Sequence, residues 1–136
     1  MFIVDTNVVS ELRRPARANP GVVAWAAAAP IAEVFMSVIT VLELELGVLL
    51  MERRDVAQGG ILRAWLEGQV MPRFTGRLLA VDEAVARRCA RLHAASPRND
   101  RDALIAATAL VHGLTIVTRN TADFMGASAT ILNPWL

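Results

Sequence analysis

Short apolar runs alternate with longer mixed ones along the whole chain, which predicts strands separated by helices. Phe2–Val4 reads as a short buried strand, and Asn7–Arg13 as a helical turn or two ended by Pro15. Pro20–Ala29 reads as a helix, with Pro20 at its start and Pro30 as its stop. Glu33–Ser37 (EVFMS) is a second strand. A long apolar helix over Thr40–Arg54 leads to a break at Gly59-Gly60, then a helix over Ile61–Val70 with Leu62, Trp65 and Leu66 along one stripe. Leu78–Val81 is a strand, and Asp82 or Glu83 opens a helix to about His93. After a loop at Ser96-Pro97-Arg98, Asp100–His112 is a helix closed by Gly113. Leu114–Thr118 and Ala129–Leu132 are the last strands. This order implies an α/β protein of three layers, with a central parallel sheet covered by helices on both faces. No linker or repeat divides it, so residues 1–136 are expected to form a single domain.

Composition narrows the class. Hydrophobic residues make up 54% and charged residues 20% of the chain, which fits a folded, apolar-rich domain. No apolar run reaches the roughly 18 residues of a membrane helix, and the N-terminus lacks the pattern of a signal peptide. The one cysteine, Cys89, forms no internal disulfide, which fits a reducing cytoplasm; in AVARRCARL it reads as a small core residue. Net charge is +1 and says nothing of partners. All 14 basic residues are Arg, a residue suited to phosphate and bases, although the codon bias of a GC-rich genome is the weightier explanation.

The first apolar run ends on a carboxylate, Asp5. In parallel sheets ligands bind at the carboxyl ends of strands, and Asp5 stands at such an end. Three more acids stand at comparable boundaries. Glu43 follows Thr40 at the spacing of a capping box, so a capping role and a ligand role are evenly matched, and Gly47 one turn on leaves space beside it. Asp102 lies in the first turn of the helix capped by Asn99, where the helix dipole alone favours an acid, with Asp100 as the fallback. Asp123 fits the first turn of a short helix after Thr118 and Asn120. Each has an ordinary explanation; together the four would converge on one rim of the sheet and raise one another's pKa values. A hard divalent cation relieves that repulsion, and oxygen ligands favour Mg²⁺ or Mn²⁺. His93 and His112 share no metal-ligand spacing, which argues against zinc.

The segments FIVDTNVVSEL, SVITVLELELGV, DALIAATALVHGLTIVTRNTADF and LNPWL, in that order, resemble the PIN-domain ribonucleases, in particular the VapC-type toxins of toxin–antitoxin pairs and their FitB-like relatives. Roughly Arg53–Phe74 matches poorly. The resemblance implies a PIN-like α/β/α fold and an acidic Mg²⁺ or Mn²⁺ site built from Asp5, Glu43, Asp102 and Asp123. Glu43, not Glu45, matches the family's E-L-x-x-G pattern. Thr6, Asn7, Thr118 and Asn120 would be polar support, and Arg101 and Arg119, with Arg98, would contact substrate. The loop SPRNDR departs from the family: Arg101 beside the site either holds phosphate or pairs with an acid. The implied activity is metal-dependent hydrolysis of RNA, transfer or ribosomal, by the toxin of a type II pair. The implied partners are a cognate antitoxin and a second copy of the chain, in a heterotetramer or larger, with contacts around Leu46–Leu50 and Trp65 and no membrane.

Two other readings compete. A haloacid-dehalogenase-type phosphatase also places an Asp after its first strand, but wants a second Asp where this chain has Asn7. A non-catalytic binding module would keep the fold and partner while cleaving nothing.

Overall fold

A computed structural model describes residues 1–136. The five strands are β1 (Phe2–Val4), β2 (Val34–Ser37), β3 (Leu78–Leu79), β4 (Thr115–Val117) and β5 (Ile131–Leu132). They form one sheet in the order β3-β2-β1-β4-β5, and every pairing is parallel. Ile3 pairs with Ile116 and Val4 with Val117. Successive side chains point to opposite faces, so Ile3 and Ile116 enter one core while Val4 and Val117 enter the other.

The first core is covered by α6 (Glu83–Ala95), α7 (Asp100–His112) and the short α8 (Thr121–Phe124). The second lies under α1 (Thr6–Glu11), α2 (Pro20–Ala28), α3 (Val38–Arg54) and α4 (Val56–Trp65). After α4 the chain continues through a wide turn, Leu66–Val70, into α5 (Met71–Arg73). Ala103, Ala106 and Ala107 of α7 are fully buried, and such small residues let that helix lie close on the sheet. This is the three-layer parallel architecture expected from the alternating runs. No helix is long and apolar enough to cross a membrane.

The boundaries correct the sequence reading in three places. Helix α3 begins at Val38 rather than Thr40, because Ser37 caps it by accepting from the Ile39 N–H at 3.0 Å. Glu43 is therefore too deep in the helix for a capping box. The break between α3 and α4 falls at Asp55, which accepts from the Gln58 N–H at 3.1 Å; helix α4 then runs straight through Gly59 and Gly60. A Cβ on Gly59 would collide with the Glu52 backbone, so that glycine permits a close helix crossing and does not end a helix. Strand β3 keeps only two residues. As predicted, Gly113 closes α7 in the left-handed conformation, φ 66°.

Candidate active site

Strands β1 and β4 are neighbours, and both end at the same rim of the sheet. Asp5 leaves β1 there as the N-cap of α1 and is only 6% exposed. Its Oδ1 accepts from the Thr6 N–H at 2.8 Å. Its Oδ2 accepts from the Thr118 hydroxyl at 2.8 Å and from the Asn7 side-chain amide at 3.2 Å. Thr118 follows β4 directly, and its oxygen also accepts from Asn7 Nδ2 at 3.3 Å and from the Asn120 N–H at 3.0 Å. Asn7 closes the set by accepting the Arg119 N–H at 3.2 Å. Both ends of the rim are thus tied by side chains on either side of the same carboxylate.

Glu43 reaches this cluster from α3. Its Oε1 accepts the Thr6 hydroxyl at 2.7 Å, and its Oε2 lies 3.7 Å from the Arg101 guanidinium. Glu45 turns away to Arg63, 2.6 Å distant, where Glu52 and Glu67 also bind. Asp102 is half-buried in the first turn of α7, its N–H on the Asn99 side chain at 3.3 Å. Asp100, the fallback, faces outward to His93 at 3.2 Å. Asp123 lies exposed on α8, with its N–H bonded to the Asn120 carbonyl at 3.1 Å.

The charges of the four acids act on one another. Burial pushes the Asp5 carboxyl up; the Thr118 and Thr6 hydrogen bonds pull it back, and the charges of Glu43 and Asp123 push it further. Asp102 is raised to about 6, first by burial and then by the charges of Asp123, Asp5 and Glu43. No three of the chain's His, Cys, Asp and Glu side chains stand as a preformed metal-ligand cluster. The fit to a hard cation therefore rests on the donors: an all-oxygen set whose charges raise the pKa of Asp5 and Asp102, with Asp5 almost fully buried.

The remaining predicted positions sort as follows. Arg101 pairs with an acid of the site, the second of the two roles weighed for it. Arg119 is exposed at the rim, and its guanidinium lies 5.6 Å from the centre of the Trp135 ring. The Arg98 Nε–H bonds the Ser96 carbonyl at 3.3 Å. Gly47 sits in open space where a Cβ would touch nothing, so packing does not require a glycine there. Sequence reasoning missed Trp135 as a neighbour of the site; the closing LNPWL was its only trace. It also missed an apolar cleft of about 320 Å³ between α1, α2 and the α4–α5 region, lined by Val9, Trp25, Trp65 and Phe74 with Gln69 and Arg73.

A five-stranded parallel sheet between two helical layers, with Asp5 at its carboxyl rim, defines an α/β/α protein with an acidic rim. The PIN domain pattern matches residues 2–125, and the chain belongs to that family. It is 39% identical over 140 aligned positions to the protein called Toxin FitB of Neisseria gonorrhoeae, covering 99% of both chains. It is 38% identical over 143 positions to the VapC ribonuclease Y4jK of Sinorhizobium fredii, covering 99% of this chain and 98% of that one. The crystal structure of FitAcB from Neisseria gonorrhoeae superposes with a TM-score of 0.88 at 39% identity, covering 99% of each chain.

Proposed function

We propose that this chain is a Mg²⁺- or Mn²⁺-dependent endoribonuclease acting as the toxin of a toxin–antitoxin pair. The carrying observation is the convergence of Asp5, Glu43, Asp102 and Asp123 on one rim, with Asp5 buried and Asp102 raised to about 6. Full-length likeness to a protein named a VapC ribonuclease supports the reaction class.

Asp5, Asp102 and Asp123 would hold the cation, with Glu43 completing the set or taking a proton from the attacking water. When bound, the cation supplies an activated water and stabilises charge on the phosphate. The chain's own residues do the rest. Hydrogen bonds from Thr118, Thr6 and Asn7 favour the charged Asp5 carboxylate against the burial that raises its pKa, and set its orientation. Asn120 holds Thr118 in place through its backbone. Arg119 and Arg101 supply cationic donors for the RNA strand, Arg101 after leaving Glu43. Both Asp5 oxygens already accept hydrogen bonds, and Asn7 is a donor to one of them. That engagement disfavours the phosphatase reading, in which Asp5 is a free nucleophile with an acid at position 7.

The partners are an RNA, transfer or ribosomal, a cognate antitoxin, and a second copy of the chain. Likeness to a toxin–antitoxin complex from Klebsiella pneumoniae, 25% identical over 98% of each chain with a TM-score of 0.72, supports the antitoxin. The apolar cleft beside Trp65 and the exposed Leu46–Leu50 face of α3 are the surfaces offered to them.

Induced expression in a bacterial host tests the reading. Wild-type chain should arrest growth and leave cleaved RNA, and Asp5→Asn should do neither. Normal growth with abundant folded wild-type protein would defeat it.

A further inference from the structure

Arg98, Arg101 and Arg119 are held differently. Arg101 is 3.7 Å from Glu43, and Arg98 donates to the Ser96 carbonyl. Arg119 forms no ion pair; it lies over the Trp135 indole, 5.6 Å from the ring centre. An ion pair occupies the in-plane N–H donors of a guanidinium, whereas stacking on a ring face leaves them free. Arg119 is exposed, restrained by a ring face and free of any ion pair, so its donors face solvent.

The restraint is built by the end of the chain. The Thr118 N–H bonds the Leu132 carbonyl at 3.0 Å, which brings the LNPWL tail alongside Thr118 and Arg119. The Trp135 N–H bonds the Asn133 side chain at 2.9 Å, turning the indole back, and the ring packs on the core shared by α1–α4. Pro134 is seated against Gly21 at the start of α2, where a Cβ would collide with the Pro134 carbonyl oxygen. From the other side, the Arg119 backbone is fixed by Asn7, which donates to Asp5.

We propose that Trp135 is a positioning residue, holding the Arg119 guanidinium at the strand-end rim where β4 leads past Thr118, so that it takes a backbone phosphate of the bound RNA strand. The inference rests on the RNA reading above. Its physical content is preorganisation: an exposed arginine loses side-chain entropy on gripping a phosphate, and the ring has already removed part of that freedom.

The test is equilibrium binding of a fluorescein-labelled single-stranded RNA, in Mg²⁺, to protein carrying Asp5→Asn so that no strand is cut. Trp135→Leu keeps apolar bulk in the tail and removes the ring; Trp135→Phe keeps a ring. Arg119→Ala and Trp135→Leu should each weaken binding about tenfold, and the double variant should be no weaker than either. Each should lower the slope of log affinity against log salt by about 0.7, the loss of one phosphate contact on a single strand. Trp135→Phe should restore most of the affinity. The inference is overturned if folded Trp135→Leu keeps the parent's affinity and salt slope, or if the two losses multiply in the double variant. If neither this parent nor the wild type in EDTA binds RNA, the RNA reading falls and this inference with it.

Discussion

The Thr118 hydroxyl donates to Asp5 Oδ2 at 2.8 Å, joining residues 113 positions apart. The bond exists because β1 and β4 are parallel neighbours that end together. It offsets part of the cost of burying the Asp5 charge. Thr118→Val keeps the shape and removes the donor, which should cost roughly 1–3 kcal/mol. The bond favours the ionised carboxyl, so the deficit should be largest at neutral pH and shrink as Asp5 protonates. Thermal melting at pH 7 and pH 4.5 checks this; an equal deficit at both would show that the bond does not act through the charge.

The Asp102 carboxyl is raised, as that of Asp5 is, but without a hydrogen bond that pulls it back. Its folded pKa, about 6, lies above the reference value of 3.8. The folded state thus binds its proton more tightly, and the associated stability is full below about pH 4 and lost as pH rises through 6. At pH 7 the ionised carboxylate is a burden to the metal-free protein. Asp102→Asn should raise the melting temperature in EDTA by a few degrees, about 1 kcal/mol once solvent screening is discounted. Mn²⁺ should stabilise the wild type and leave the variant unmoved. A variant that melts lower in EDTA would contradict this account of the site.

Glu43 and Glu45 stand two residues apart and make different contacts, Glu43 with Thr6 and Arg101, Glu45 with Arg63. Glu43→Gln should cut RNA cleavage by roughly a hundredfold or more, the scale of a lost proton-transfer or ligand group. Glu45→Gln should leave the cleavage rate unchanged and lower the melting temperature slightly, through its pairing with Arg63. Paired rate and melting measurements on the two variants separate the roles. Equal loss of activity would place Glu45 in the site as well.

Leu42, Leu46, Leu49 and Leu50 form an exposed apolar row on α3, at a spacing that keeps them on one face. We expect this row to join two copies of the chain. Sedimentation should give a dimer for the wild type and a monomer for the double variant Leu46→Asp, Leu50→Asp. A monomeric wild type would refute the expectation.

The sheet was readable because its strands are buried on both faces and so appear as apolar runs without alternation: FIV, VFMS and TIV. Boundaries set by a single hydrogen bond were not readable. Ser37 and Thr40 are both plausible caps, and only tertiary placement selects Ser37. Gly59 and Gly60 look like a break because glycine is a poor helix former, yet the packing of α4 against Glu52 demands a small residue there. The acids were legible by position at strand ends and helix starts, although each one alone resembles a cap. Trp135 was not legible as part of the rim, since only the β4–β5 pairing brings the chain end to Arg119.

The most direct measurement is cleavage of total RNA by the purified chain, free of any partner, in Mg²⁺, Mn²⁺ and EDTA, beside Asp5→Asn and Asp102→Asn. The account predicts discrete fragments in the metal lanes and intact RNA in EDTA and with either variant. Cleavage that persists in EDTA, or that survives Asp5→Asn at full metal, would contradict it.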